Sequence, residues 1–329
     1  MTNPTTNDLP FRVGALLYTP ALREGIADKL EKNAYPCLSS LALCLEDSIR
    51  DSALAQAERA ACRTLAQIGE KRIPPERLPL IFLRIRSPEH MAHIHAMLGA
   101  DAELLTGYIL PKFDLANGHE YLRTLERLPR RDGRPLYAMP ILESRMIAEV
   151  GTRRHALLHL KDLLDAAGPA VLNVRVGGND LSNLYGLRRT AAQSVYDIGV
   201  IRDVLMDILN VFTADYLVSA PVWEYFGHDP EGAWAEGLRR ELALDRMNGF
   251  IGKSAVHPAQ LPLIRESLRV SRADYQDAAG ILHWGSAELG VAKSLDGSRM
   301  NEVKCHGRWA ARVRALGDLY GFREEAAPV

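Results

Sequence analysis

Eight short apolar runs, each followed by a stretch of helical spacing, recur along the chain, and this rhythm constrains the fold more than any single motif. The runs are VGALLYTP from Val13, LALCLED from Leu41, LIFLRIRS from Leu80, GYILPKF from Gly107, PLYAMPILES from Pro135, VLNVRVGGND from Val171, DYLVSAP from Asp215 and GFIGKSAVHP from Gly249. Segments between them, such as DSALAQAERAACRTLAQI and YLRTLERL, space their apolar residues three and four apart, as one helix face demands. Strands covered on both sides read as continuous apolar runs rather than alternating ones. Eight such units in about 250 residues are what a (β/α)8 TIM barrel needs. A doubly wound α/β sheet uses the same alternation but gathers its chemistry at one crevice. Here nearly every run ends in a chemically useful group: Thr19; Glu46 and Asp47; Arg84 and Arg86; Lys112; Glu143; Asp180; Ser219; Lys253 and His257. Such groups, at the C-terminal ends of many strands, meet at the mouth of a barrel. The expected architecture is therefore a barrel over residues 1–270, with residues 271–329 as a helical extension covering the barrel or reaching a neighbouring subunit.

A net charge of -1 supplies no field for a nucleic-acid backbone. No apolar run reaches the ~20 residues of a membrane span, and MTNPTTNDLP lacks the pattern of a secretory leader. A cytoplasmic protein with neither nucleic-acid nor membrane partners is expected. Cys37, Cys44, Cys62 and Cys305 show no metal-ligand spacing and are expected to be reduced and mostly buried. His155 and His159 stand four apart but lack the glutamate of a H-E-x-x-H zinc site. His90, His93 and His95 are expected on a solvated helix face, and His257 in a structural role.

The acids carry the most chemistry. Glu143 and Asp180 end successive runs and, unaccompanied by cysteine or histidine, suit a hard cation such as Mg2+ that keeps waters and takes further ligands from substrate. The alternative is that each caps the helix that follows. Arg84 and Arg86 alternate along one run and so are expected to point the same way, toward a substrate carboxylate or toward Glu46 and Asp47. Lys112 stands where an imine-forming lysine could stand, but an acid pair that binds metal makes that chemistry redundant, and a charge-supplying role is expected. Gly177 and Gly178 lack the third glycine of a dinucleotide loop. They are expected to let the backbone turn tightly at the barrel rim and give Asp180 and substrate clearance.

Taken in order, LEDSI (45–49), LRIRSP (83–88), LPK (110–112), ILES (141–144), GGNDLSNLYG (177–186), SAP (219–221) and GFIGKSAVHPAQL (249–261) resemble the HpcH/HpaI aldolase and citrate lyase β-subunit family over roughly residues 11–270. The resemblance implies a barrel of the phosphoenolpyruvate/pyruvate-binding type that breaks or makes a carbon–carbon bond through an enolate of a 2-oxo acid or acyl group. It implies Mg2+, with Mn2+ possible, on Glu143 and Asp180, Arg84 on the substrate and enolate, and Glu46 and Asp47 as the acids that hold water on the metal. Arg86 and Lys112 would hold a second anionic group of a small 2-oxo or hydroxy acid, with Gly177, Gly178, Ser219 and Pro221 beside the substrate. Relatives form trimers or hexamers, so a homo-oligomer is expected. Three departures stand out: Cys44 replaces an aspartate, Arg86 an asparagine, and Asn301 an acid of the thioester-using relatives. Arg86 points to a more anionic substrate and Asn301 away from coenzyme A thioesters, and the divergent set is most similar to a branch of TIM-barrel C–C bond lyases associated with tellurite-resistance and stress gene clusters. The rival readings are a phosphoenolpyruvate-type enzyme of another reaction class and a non-catalytic anion-binding homologue.

Overall fold

The computed structural model describes residues 8–71, 73–130, 133–285 and 288–323. Each of the eight apolar runs contains a strand: β1 Ala15–Pro20, β2 Ser40–Cys44, β3 Leu80–Arg84, β4 Gly107–Leu110, β5 Tyr137–Leu142, β6 Val174–Val176, β7 Val218–Ser219 and β8 Lys253–Ala255. They pair in the order β7-β6-β5-β4-β3-β2-β1-β8, all parallel. A bridge between Ala220 and Lys253 joins the two ends and closes the ring. The doubly wound alternative is thereby excluded, since an open sheet has two edges.

Alternation along the strands divides the residues between two layers. Ile81 and Leu83 of β3, with Tyr108 and Leu110 of β4, pack into one apolar cluster. That cluster includes Ala57, Ala61 and Leu65 of the helix Leu54–Glu70 and Met91, Ile94 and Leu98 of the helix Pro88–Leu98. Phe82, Arg84 and Ile109 alternate with them and so face the inside of the barrel. The same parity sends Glu143 inward beyond Ile141, and Arg175 inward with Asn173, to which it is hydrogen bonded at 3.0 Å.

The chain divides into two compact units, one spanning residues 13–264 and the other combining 1–12 with 265–329. The boundary expected from the sequence is residue 270, with residues 1–12 in the barrel. Val270 packs with Ala278, Ile281, Ala310 and Val313, and Tyr320 donates a 2.7 Å hydrogen bond to the Phe11 carbonyl, which ties both stretches to the second unit. This unit contains the expected helices at Arg272–Leu282 and Val303–Tyr320. It also contains an antiparallel pair, β9 Val291–Lys293 and β10 Met300–Glu302, that the apolar pattern did not announce. Among the described residues no helix is long and apolar enough to cross a membrane.

Candidate active site

The expected site residues sit just beyond the C-terminal ends of consecutive strands: Glu46 and Asp47 after β2, Arg84 closing β3, Lys112 after β4, Glu143 after β5 and Asp180 after β6. Together with Tyr18, Arg175 and Ser254, most of them line a cavity of about 390 Å3. Arg84 is the hub. Its Nη2 lies 2.7 Å from Glu46 Oε2, 2.8 Å from Asp47 Oδ2 and 3.8 Å from Glu143 Oε1. Its guanidinium also lies 5.5 Å from the centre of the Tyr18 ring. Its Nε is buried with no hydrogen-bond partner.

Lys112 binds the same acids from the other side, with Nζ on Glu46, 3.2 Å from Asp47 Oδ1 and 4.0 Å from Asp180 Oδ1. Its backbone is left-handed, at φ 48°, a region that a residue with a Cβ seldom occupies. The Lys112 N–H donates a 2.8 Å bond to Glu143 Oε1, so one residue at the end of β4 joins carboxylates that follow β2 and β5. Partial burial works against the ammonium, but hydrogen bonding to Glu46 and the charges of Glu46 and Asp47 outweigh it and hold it above its ordinary value. A lysine held protonated is a poor imine-forming amine, in line with the charge-supplying role expected of it.

Neither Glu143 nor Asp180 caps a helix. Ser144 occupies the N-cap position of the helix Arg145–Ala148 and Gly177 that of the helix Gly178–Leu184, and neither start has a side-chain cap bond. Burial, reinforced by the charge of Asp180, pushes Glu143 up to about 8. Burial also raises Glu46. Asp47 moves the other way: burial opposes it, but the hydrogen bond with Glu46 and the charges of Arg84 and Lys112 hold it below its ordinary value. Two carboxylates in mutual repulsion, one of them almost fully buried, are a donor set that fits a hard divalent cation completed by water and substrate oxygens. Among the described residues no group of three or more His, Cys, Asp or Glu side chains could hold a metal by protein ligands alone.

The glycine pair gives clearance, though not by permitting a turn that other residues cannot make. Gly177 has φ −91°, open to any residue. A Cβ there would lie 1.7 Å from Glu143 Oε2 and 2.6 Å from Glu143 Cβ, and one on Gly178 would lie 2.7 Å from Pro221 Cβ. Pro221 therefore serves as the wall behind Gly178.

Four residues expected beside the substrate do not line the cavity: Arg86, Lys112, Ser219 and Pro221. Arg86 points into the loop after β2, donating to the carbonyls of Leu45 and Ile49 and pairing with Asp51. It braces the segment that carries Glu46 and Asp47 and does not line the cavity. Ser219 is buried, and its hydroxyl donates to the Ile251 carbonyl at 2.8 Å. The histidines differ from expectation too: His95 is buried between Tyr108 and the Pro129 carbonyl, and His90 lies 3.1 Å from Glu58, leaving His93 as the exposed one. His257 accepts from the Ala259 N–H as a helix cap. Cys44 is the one buried thiol of the four, all of which are free. Tyr18, Arg175 and Ser254 line the cavity without having been expected there from the sequence. Period-two alternation back from Pro20 and Gly177 could have flagged Tyr18 and Arg175, but both were hidden inside apolar-looking runs.

A family described as "C-C_Bond_Lyase of the TIM-Barrel fold" matches residues 7–322. The chain belongs to this family. As a TIM-barrel C–C bond lyase family member it shares its fold with several solved proteins. A citrate lyase from Burkholderia xenovorans LB400 matches with TM-score 0.68 and 19% identity, over 96% of this chain and 93% of that one. Protein CitE from Mycobacterium tuberculosis, solved with magnesium, acetoacetate and coenzyme A, matches with TM-score 0.58 and 21% identity, over 92% of this chain and 98% of that one. A citrate lyase beta subunit from M. tuberculosis, complexed with oxaloacetate and magnesium, matches with TM-score 0.50 and 21% identity, over 78% and 98%. No curated protein matches the sequence. At these identities the structural likeness establishes the fold of this C–C bond lyase family member, while its site rests on its own geometry.

Proposed function

We propose that the protein is a Mg2+-dependent carbon–carbon bond lyase acting by aldol or Claisen-type chemistry on a small 2-oxo or hydroxy acid through an enolate. One observation carries the reading: the buried Nε of Arg84, without a partner, lies beside an acid pair of which one member is pushed well above its ordinary value. Glu143 and Asp180 would hold Mg2+ or Mn2+, which supplies Lewis-acid charge to substrate oxygens when bound. Arg84 then donates to the oxygen on which negative charge develops, a preorganised contact worth most in a desolvated site. Glu46 and Asp47 fix that guanidinium, while Lys112 balances their charge. Of that pair Asp47 lines the cavity and is the one placed to take the proton of the substrate hydroxyl. The magnesium and the small keto acids held by the M. tuberculosis proteins of this fold favour this substrate class. A homo-oligomer remains part of the proposal.

Calorimetric titration with Mg2+ and Mn2+, paired with a cleavage assay over a panel of 2-oxo and hydroxy acids, tests the reading. One cation is expected to bind the wild type, and Glu143→Gln and Asp180→Asn are each expected to weaken it at least tenfold. Unchanged affinity in both variants would sink the metal assignment. Metal binding without turnover of any panel member would leave an anion-binding role.

A further inference from the structure

Three arginines of the described chain are buried outright, and two of them have a carboxylate in reach: Arg153 lies 2.9 Å from Asp207, and Arg189 lies 3.3 Å from Glu241. The third, Arg175, is 2% exposed and has none among the described residues. Its partners are neutral: Asn173 Oδ1 at 3.0 Å, Ser254 Oγ at 2.7 Å and the Tyr18 hydroxyl. An arginine cannot shed its charge in a protein, and a guanidinium buried without an anion is costly. Five N–H donors also exceed what three neutral oxygens absorb in a planar fork. Arg175 reaches from β6 across the barrel interior to Ser254 on β8 and Tyr18 on β1, and all three line the cavity into which Arg84 and Glu143 face.

We propose that Arg175, with Tyr18 and Ser254, is a subsite for a carboxylate of the bound substrate, distinct from the oxygens taken by Glu143, Asp180 and Arg84. The inference rests on the lyase reading only in calling that anion substrate. One uncompensated positive charge matches a monoanionic carboxylate, whereas a phosphate brings about −1.5 to −2 at neutral pH. The substrate class is therefore narrowed to dianionic acids, with one carboxylate near the acid pair and the second at the barrel floor. The role expected of Arg86, whose side chain is tied to its own loop, falls to Arg175 instead.

The test is succinate binding by calorimetry to wild type and Arg175→Met, in EDTA and again with Mg2+, alongside melting curves. Succinate affinity should fall at least tenfold in the variant under both conditions, while Tm holds or rises because an uncompensated buried charge has been removed. Equal succinate affinity in both proteins overturns the subsite. So does a drop in Tm with no change in succinate affinity, which would mark Arg175 as a barrel-core residue only. Should the variant fail to fold, a crystal structure of the wild type with succinate decides: a carboxylate within hydrogen-bond reach of Arg175 upholds the proposal, and succinate bound elsewhere refutes it. Binding in EDTA does not depend on metal, so a failure of the Mg2+ assignment and a failure of this subsite are read separately.

Discussion

Gly177→Ala is the smallest change that tests the architecture of the site. The new methyl would stand 1.7 Å from Glu143 Oε2 and 2.6 Å from Glu143 Cβ. Rotating the carboxylate away relieves the first contact but not the second, because Cβ is fixed to the backbone. Either β5 and the β6 loop separate or Glu143 is displaced bodily. Overpacking of this kind costs about 1–3 kcal/mol. Losing the hydrogen bond from the Lys112 N–H adds about 0.5–1.5 kcal/mol. The backbone itself raises no objection at φ −91°. Allowing for partial relaxation, the net cost should be on the order of 3 kcal/mol, or about 6–12 °C in Tm for a domain of this size. Mg2+ affinity should fall at least tenfold in the same variant. Gly151→Ala is the control. It lies in the helix Val150–Ala167 with nothing within 4 Å of the added methyl, so it should be neutral or stabilise by about 0.5–1 kcal/mol. A Gly177→Ala protein that melts within about a degree of wild type and binds Mg2+ normally would refute the close fit between the glycine and Glu143.

Four further outcomes are expected. Because Glu143 is pushed up to about 8, a proton competes with the cation there. Mg2+ affinity should therefore drop by about tenfold per pH unit below that value and level off above it, with proton release visible in calorimetry across buffers; a flat profile contradicts the assignment. The same raised carboxyl stabilises the metal-free protein below its ordinary 4.5 and loses that contribution as pH rises through about 8, so the apo Tm should decline across this window. Arg86→Met should lower Tm by leaving the Leu45 and Ile49 carbonyls without their donor, at about 1–3 kcal/mol for each group left unsatisfied. It should slow turnover by loosening Glu46 and Asp47, without altering the preference between di- and monocarboxylates. Lys253→Met strands Glu241 and Asp245, which lie 2.9 Å and 2.7 Å from the ammonium in a buried cluster. A loss of about 3–5 kcal/mol in urea denaturation is expected, and a near-neutral result would show that the cluster carries little energy.

What the sequence made legible was periodic. All eight strands were visible because parallel strands under helices leave unbroken apolar runs. The acids, Arg84 and Lys112 were visible because a barrel places chemistry where such runs end. What stayed hidden depended on which way a side chain turns. Arg86 looked equivalent to Arg84 by alternation, but β3 ends at Arg84. Beyond that point Arg86 answers to the free carbonyls of the neighbouring loop rather than to the pleat. Arg175 was overlooked for the opposite reason: inside a strand that reads as apolar, only three-dimensional neighbours reveal a charge without a counter-charge. The left-handed backbone of Lys112 likewise has no sequence signature, since it is imposed by the carboxylates that the residue must join.

The closure of the ring has its own consequence. Strands β1 and β2 are laced by five residue pairs, whereas β7 has two residues and meets β8 through the Ala220–Lys253 bridge. Backbone ladders this short open most readily. Val222, just past β7, and Ser254 and Val256, at β8, lie on either side of that joint and form part of the chamber wall. The barrel is thus stiff along the arc that bears Glu46, Arg84 and Glu143, whose mutual spacing the chemistry depends on. Its slack lies in the opposite wall, where small changes in the β7 and β8 loops could resize the chamber for a longer or shorter acid without disturbing the charged arc.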